Sequence, residues 1–313
     1  MSFHLFKTFR INLFKRSLIT SITCLSAIAF NTITTAQNNS SPKVVTTFLP
    51  IHLFTQAVVG DTGEVDILIS PGRSVHDYQA TPDDAKLLSE ADVLAENGLG
   101  IEEFLESLVA NAGNSNLQQI DSSEGIEVIE GEHDEGEEHG HHHEEGDPHV
   151  WLDPVLAQQQ VATIRDGLIA IAPNNADSYR SNADAYIQQL QQLDNEFQQR
   201  LAPLAGCNFI TFHDAFPYLA QRYGLTQEAI VEIPEDSITP QDIQRVQQTA
   251  NQYQVKALLT EPRIEDKRIQ QISGDLNLPL EAIDPLESGE TDPQYYFQAM
   301  QGNLEALERA CKN

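Results

Sequence analysis

Positive charge is scarce in this chain: 18 Lys and Arg stand against 47 Asp and Glu among 313 residues, a formal charge of −29 at pH 7. An acidic excess of that size excludes nucleic acid and anionic membrane surfaces as partners and suits a soluble protein that attracts cations. Cysteine is scarce as well. Of three cysteines, Cys24 lies near the N-terminus and only Cys207 and Cys311 lie far from it, with no Cys-x-x-Cys spacing to suggest a thiolate metal pair. The uncharged run "SLITSITCLSAIAF" stops at 14 residues, short of the roughly 20 needed to cross a bilayer.

At that end of the chain the sequence reads as a leader. Lys7, Arg10, Lys15 and Arg16 precede the apolar run and "TTAQ" follows it, the layout of a secretory signal over residues 1–36 that is cut after Ala36. Thr23 stands where a lipidated cysteine is preceded by a small residue, which argues against Cys24 as an anchor. Loss of the four basic residues moves the net charge from −29 to −33. In an exported chain Cys207 and Cys311 are expected to form a disulfide. Closing a loop of about 100 residues stabilises by roughly 4 to 5 kcal/mol at most.

What remains, 40% apolar, is enough for real cores. From Lys43 short apolar runs alternate with helical segments: "KVVTTFL", "EVDILIS" and "ADVLAE" read as strands, "TPDDAKLLSEA" and "IEEFLESLVANA" as helices. Alternation of this kind predicts a parallel sheet. After Pro173 the spacing of Ala176, Tyr179, Ala183, Tyr186, Leu190, Leu193, Phe197, Leu201 and Leu204 predicts one long amphipathic helix over 174–203. Beyond it the alternation returns, with "CNFITF", "AIVEI", "VKALLT" and "PLEAI" as strands and "TPQDIQRVQQTANQY" and "YYFQAMQGNLEALERA" as helices. The fold class is therefore α/β, with two lobes (37–173 and 204–313) joined by a helical strut over 174–203. "TPDD" and "TPQD" open their helices with one device, a Thr cap, Pro at the first position and an acid at the third, a faint sign that the lobes are related.

Segment 121–148 breaks the pattern, with 12 acids, five histidines and no Lys or Arg. It buries too little apolar surface to fold alone and reads as a loop within the first lobe. With loop and leader set aside, four histidines remain: His52, His76, His149 and His213. Three of them fall where parallel strands end, and ligands of open α/β sheets bind outside those ends. A fourth strand end carries Asp284, in "LPLEAIDPLESG", which also suits a turn before Pro285. Three imidazoles and a carboxylate make a tetrahedral site matched to Zn2+. Glu261, in "LLTEPR", is the alternative oxygen donor or an acceptor behind a ligand; Asp77, Asp153 and Asp214 are candidates to fix the imidazole tautomers, or else helix caps. His52 is expected to be a partly buried helix residue.

"PGRSVHDYQATPDDAKLLSEADVL", "DPHVWLDP", "FHDAFPYLAQRYGL", "LLTEPR" and "AIDPLESG" together resemble the metal-binding solute-binding proteins of bacterial ABC importers, the cluster A-I zinc/manganese family. The resemblance covers essentially the whole chain beyond the leader. It implies two pseudo-symmetric α/β lobes with parallel sheets, joined by one long rigid helix, with a metal ion between them. It places ligands at His76, His149 and His213 and a fourth at Asp284. Manganese members usually carry Glu where His213 stands, and an acidic His-rich insertion before "DPH" is typical of zinc members. "SVHDY" departs from the usual "PHDY"-like segment.

The expected function is a periplasmic zinc receptor, a monomer, that captures Zn2+ and delivers it to an ABC transporter permease in the inner membrane. A manganese receptor of the same family is the nearest alternative. A zinc-dependent hydrolase is another, disfavoured because a fourth protein ligand closes the position that water needs.

Overall fold

Val44, Val45 and Thr46 form a strand with all three residues buried, as expected for the centre of a parallel sheet covered on both faces. A computed structural model describes residues 41–129, 146–231, 233, 237–262 and 267–312. Residues 1–36, where the sequence predicts a leader, and the five histidines of the acidic segment lie outside them.

The first lobe runs β1 (Val44–Thr46), α1 (Leu49–Val59), β2 (Val65–Ile67), α2 (Pro82–Ser89), β3 (Val93–Glu96), α3 (Leu105–Ala112) and β4 (Gln118–Asp121). All pairings are parallel, in the order β2-β1-β3-β4, with Val44 opposite both Val65 and Val93. β1 is shorter than "KVVTTFL" because Pro50 helps to start α1 at Leu49. Next come α4 (Pro154–Ile171) and α5 (Ala176–Leu201). The glutamines of α4 hide its period in the sequence, but Asp153 caps it by accepting the Val155 N–H at 2.8 Å. Gly167 lets α4 lie close on the sheet, since a Cβ there would stand 2.7 Å from Ile120 Cδ1.

The second lobe repeats the plan with β5 (Asn208–His213), α6 (Pro217–Arg222), β6 (Thr226–Val231), α7 (Pro240–Gln252), β7 (Leu258–Thr260), α8 (Lys267–Leu276), β8 (Leu280–Ala282) and α9 (Tyr295–Lys312). Its order, β6-β5-β7-β8, is that of the first lobe strand for strand, again all parallel. The shared Thr-Pro-x-Asp device now has a place: α2 and α7 each follow the second strand of their lobe. Both carry complete capping boxes, the Asp84 carboxylate accepting the Thr81 N–H at 2.7 Å and that of Asp242 the Thr239 N–H at 2.8 Å.

α5 is 26 residues long, about 39 Å at the α-helical rise, flanked by 3-10 turns at Pro173–Asn175 and Ala202–Leu204. Its buried stripe is Tyr179, Ala183, Tyr186, Leu190, Leu193, Phe197 and Leu201. One apolar core runs from the first sheet past this stripe to α9. There Phe54 meets Tyr186 and Tyr296 edge-on, at 6.2 Å and 5.1 Å. Cys207 and Cys311 are disulfide-bonded, tying the start of β5 to the end of α9 across 104 residues, with a Cα–Cα distance of 5.7 Å.

Candidate metal centre

Four strand ends aim side chains at one point. His76 lies between β2 and α2, His149 follows β4 and the acidic segment, His213 ends β5, and Glu287 lies beyond β8. Among the described residues one donor atom from each of these four lies within 4.8 Å of the others. Ring centroids are 5.5 Å apart for His76 and His149, 5.8 Å for His76 and His213, and 5.5 Å for His149 and His213. Glu287 Oε1 is 3.4 Å from His76 Nε2 and 3.9 Å from His213 Nε2. A tetrahedral ion with ligand bonds of about 2.0–2.1 Å sets its donors roughly 3.3 Å apart, so a small contraction seats it.

The donor edges face inward because the outer edges are taken. His149 Nδ1 lies 3.2 Å from Asp147 Oδ1, which also accepts the His149 backbone N–H at 2.8 Å. Glu261 binds His213 Nδ1 in the same way. Nε2 of His149 and Nε2 of His213 are left buried with no hydrogen bond among the described residues. Buried polar atoms in that state call for a partner, and a cation bound by neutral imidazole would supply one.

Electrostatics separate the groups. Burial lowers the His149 pKa against the pull of Asp147, and the charges of His76 and His213 lower it further. At His213 burial acts downward too, but the charge and hydrogen bond of Glu261, with Glu287 and Asp214, outweigh it and raise the pKa to about 9. Burial would raise Glu287, yet its hydrogen bond to His76 and the charges of His76, His213 and His149 take it down to about 2. His52 stands apart as a buried α1 residue with Nδ1 3.2 Å from Thr46 Oγ1, and burial lowers its pKa to about 4 against Asp66.

Asp284 is not in the group that converges among the described residues, where the carboxylate is that of Glu287. The Asp284 carboxylate is consumed by the turn: Oδ1 accepts the Leu286 N–H at 2.8 Å and Oδ2 the Tyr295 hydroxyl at 2.9 Å. Asn303 holds its backbone on both sides, at 2.7 Å each. Leu286 is thereby set at φ 63°, a left-handed conformation costly for a branched side chain. Glu287 follows it into the centre. Gly289, at φ 143°, completes the turn, since a Cβ there would stand 2.1 Å from the Tyr295 ring. The only sequence signal was the Asp-Pro pair, which marks Asp284 as a turn former.

The expected tautomer partners also redistribute. Asp77 and Asp214 are exposed, and Asp153 caps α4 while accepting Arg222 Nε at 2.7 Å. Their role falls to Glu261, itself one of the sequence candidates, and to Asp147, for which the sequence carries no signal.

The lobes are cross-tied beside the centre. Tyr296 donates to the Trp151 carbonyl at 2.8 Å, and the Gly72 N–H to the Glu287 carbonyl at 3.0 Å.

A family model described as zinc-uptake complex component A, periplasmic, matches residues 44–310. The zinc-binding lipoprotein AdcA of Streptococcus pneumoniae is 32% identical over 284 residues, 87% of this chain and 56% of the relative, so this chain spans little more than half of that protein's length. The high-affinity zinc uptake system protein ZnuA of Bacillus subtilis is 33% identical over 274 residues, 85% of this chain and 86% of the relative. Among solved structures, the Zn(II)-bound ZnuA-like domain of Streptococcus pneumoniae AdcA superimposes with a TM-score of 0.74 at 28% identity, covering 87% of this chain and all of the domain. A mutant of the laminin-binding adhesin Lmb of Streptococcus agalactiae gives 0.77 at 27% identity, covering 86% and 99%.

Proposed function

The chain belongs to the zinc-uptake complex component A family, and on that footing we propose that it is an exported receptor that captures Zn2+ between its lobes and hands it to an ABC permease in the inner membrane. The observation that carries this reading is the convergence of His76 and His149 from one lobe with His213 and Glu287 from the other. Each lobe contributes half of the ligands, so the ion is cargo enclosed between them. Three imidazoles and one carboxylate favour zinc over manganese, which prefers oxygen donors. Four protein ligands leave no coordination position for an activated water, which supports a receptor rather than a hydrolase. Export rests on the basic, apolar leader of residues 1–36, and among the described residues no helix is long and apolar enough to cross a membrane.

The test is competitive titration of the purified protein with zinc and manganese against a chelator. One tight zinc equivalent is expected, crippled by His76→Ala, His149→Ala or His213→Ala. Wild-type affinity in any of these variants removes that residue from the site. His213→Glu should weaken zinc and strengthen manganese, narrowing the ratio between them; an unchanged ratio would show that His213 does not set the preference. Ester or peptide hydrolysis by the zinc-loaded protein would overturn the receptor reading.

A further inference from the structure

Tyr218 stands on α6 of the second lobe, 4% exposed, in a small apolar cluster with Ile126, Val150 and Leu156 of the first. Its hydroxyl donates to the Asp147 carbonyl at 2.7 Å and accepts the Ile129 N–H at 3.0 Å. The Asp147 N–H in turn donates to the Ile129 carbonyl at 3.0 Å, so three groups close one clasp.

A single residue, Pro148, separates the clasp from the metal centre. The Asp147 carboxylate holds both the backbone N–H and the Nδ1 edge of His149. The next carbonyl, that of Pro148, is held from the first lobe by Asn97 Nδ2 at 3.1 Å, and Asn97 is itself fixed by the buried Gln160 at 2.9 Å. Consecutive carbonyls are thus pinned from opposite lobes, and the direction of the His149 ring follows from both. We propose that Tyr218 is a positioning residue for His149: the second lobe, besides giving its own ligands, aims a ligand of the first. This rests on the metal-centre reading above. A phenol in a mere interface would stabilise the fold without changing the geometry at the metal.

Deleting one neutral hydrogen bond that acts on ligand orientation should change an equilibrium constant about fivefold. Zinc affinity and the visible absorption of the cobalt(II)-loaded protein are therefore compared for wild type, Tyr218→Phe and Tyr186→Phe. The last is a control, because it removes another largely buried hydroxyl bonded to a loop carbonyl, that of Pro293 at 3.0 Å. Tyr218→Phe should lose about fivefold in zinc affinity and shift the cobalt bands, while Tyr186→Phe keeps both. Unchanged affinity or spectrum in Tyr218→Phe, or an equal loss in Tyr186→Phe, overturns the proposal.

A second measurement needs no variant. Coupling is reciprocal, so zinc loading must strengthen the clasp and slow hydrogen exchange at the Ile129 N–H by a similar factor. Equal protection with and without zinc overturns the proposal even if Tyr218→Phe does not fold. Failure of the wild type to bind zinc, or of His149→Ala to lose it, would instead sink the metal-centre reading itself.

Discussion

The Nδ1 edge of His213 is occupied by the carboxylate of Glu261, at a point where the imidazole is fully buried and Glu261 is 9% exposed. The pair leaves Nε2 facing the proposed metal site and makes the ring a stronger base.

A pH dependence follows. With the His213 pKa raised from 6.5 to about 9 in the metal-free protein, the ring holds a proton below pH 9 that zinc must displace. Zinc affinity should climb between pH 6.5 and 9, by up to about tenfold per unit, and then level off. His149, lowered by burial, is already neutral near pH 7 and adds no such step. The metal-free fold behaves oppositely: a group whose pKa rises on folding stabilises fully below its unfolded value and loses that stability as pH rises through the folded one. Melting temperature without zinc should fall over the same interval in which the zinc-induced gain grows. Calorimetric titration in two buffers of different ionisation enthalpy reads the proton directly; release of none at pH 7.5 would contradict the assignment.

Asp284 and Glu287 should separate cleanly on mutation. Glu287→Gln removes an anionic donor and should weaken zinc by more than about tenfold. Asp284→Ala strands the Leu286 N–H and the Tyr295 hydroxyl and should cost about 1–3 kcal/mol of metal-free stability, with a smaller loss of zinc. A larger loss of zinc in Asp284→Ala than in Glu287→Gln, read by chelator competition, would point to Asp284 as the donor.

Trp151 is the one tryptophan of the chain, and its ring centroid lies 5.1 Å from that of His149. Its indole N–H donates across the lobe boundary to the Pro285 carbonyl at 2.9 Å, two residues before Glu287. Intrinsic fluorescence should therefore report zinc loading with one-to-one stoichiometry, and His149→Ala should abolish the response. Emission that is blind to zinc would show that neither ring moves or changes charge on binding.

Cys207 and Cys311 join at the far end of β5 from His213. Cys207→Ser with Cys311→Ser should lower unfolding free energy by up to about 4–5 kcal/mol and leave zinc affinity unchanged at a temperature where the protein stays folded. A large loss of affinity in the folded double variant would mean that the bond shapes the cleft as well.

The architecture was legible because its signals are local. Val44–Thr46 and Val93–Glu96 are apolar runs of strand length, the stripe from Tyr179 to Leu201 keeps helical period for about six turns, and two Thr-Pro-x-Asp boxes mark equivalent helices. α4 is less legible because the run Gln158, Gln159 and Gln160 interrupts its apolar stripe, in which Gln160 is buried. The three histidines were legible for a related reason: parallel strands deliver their carboxyl ends to one side, so a strand-end histidine is placed by topology alone. The choice between Asp284 and Glu287 was not in the sequence. Both are acids in one turn, and it is Tyr295, Asn303 and the left-handed backbone of Leu286 that spend the first on the turn and deliver the second to the centre. Glu261 behind His213, and Asp147 with Tyr218 behind His149, were decided in the same way. Such pairings join residues 48 and 71 positions apart: the first is made where β5 and β7 lie side by side in the second lobe, and the second only where one lobe packs against the other.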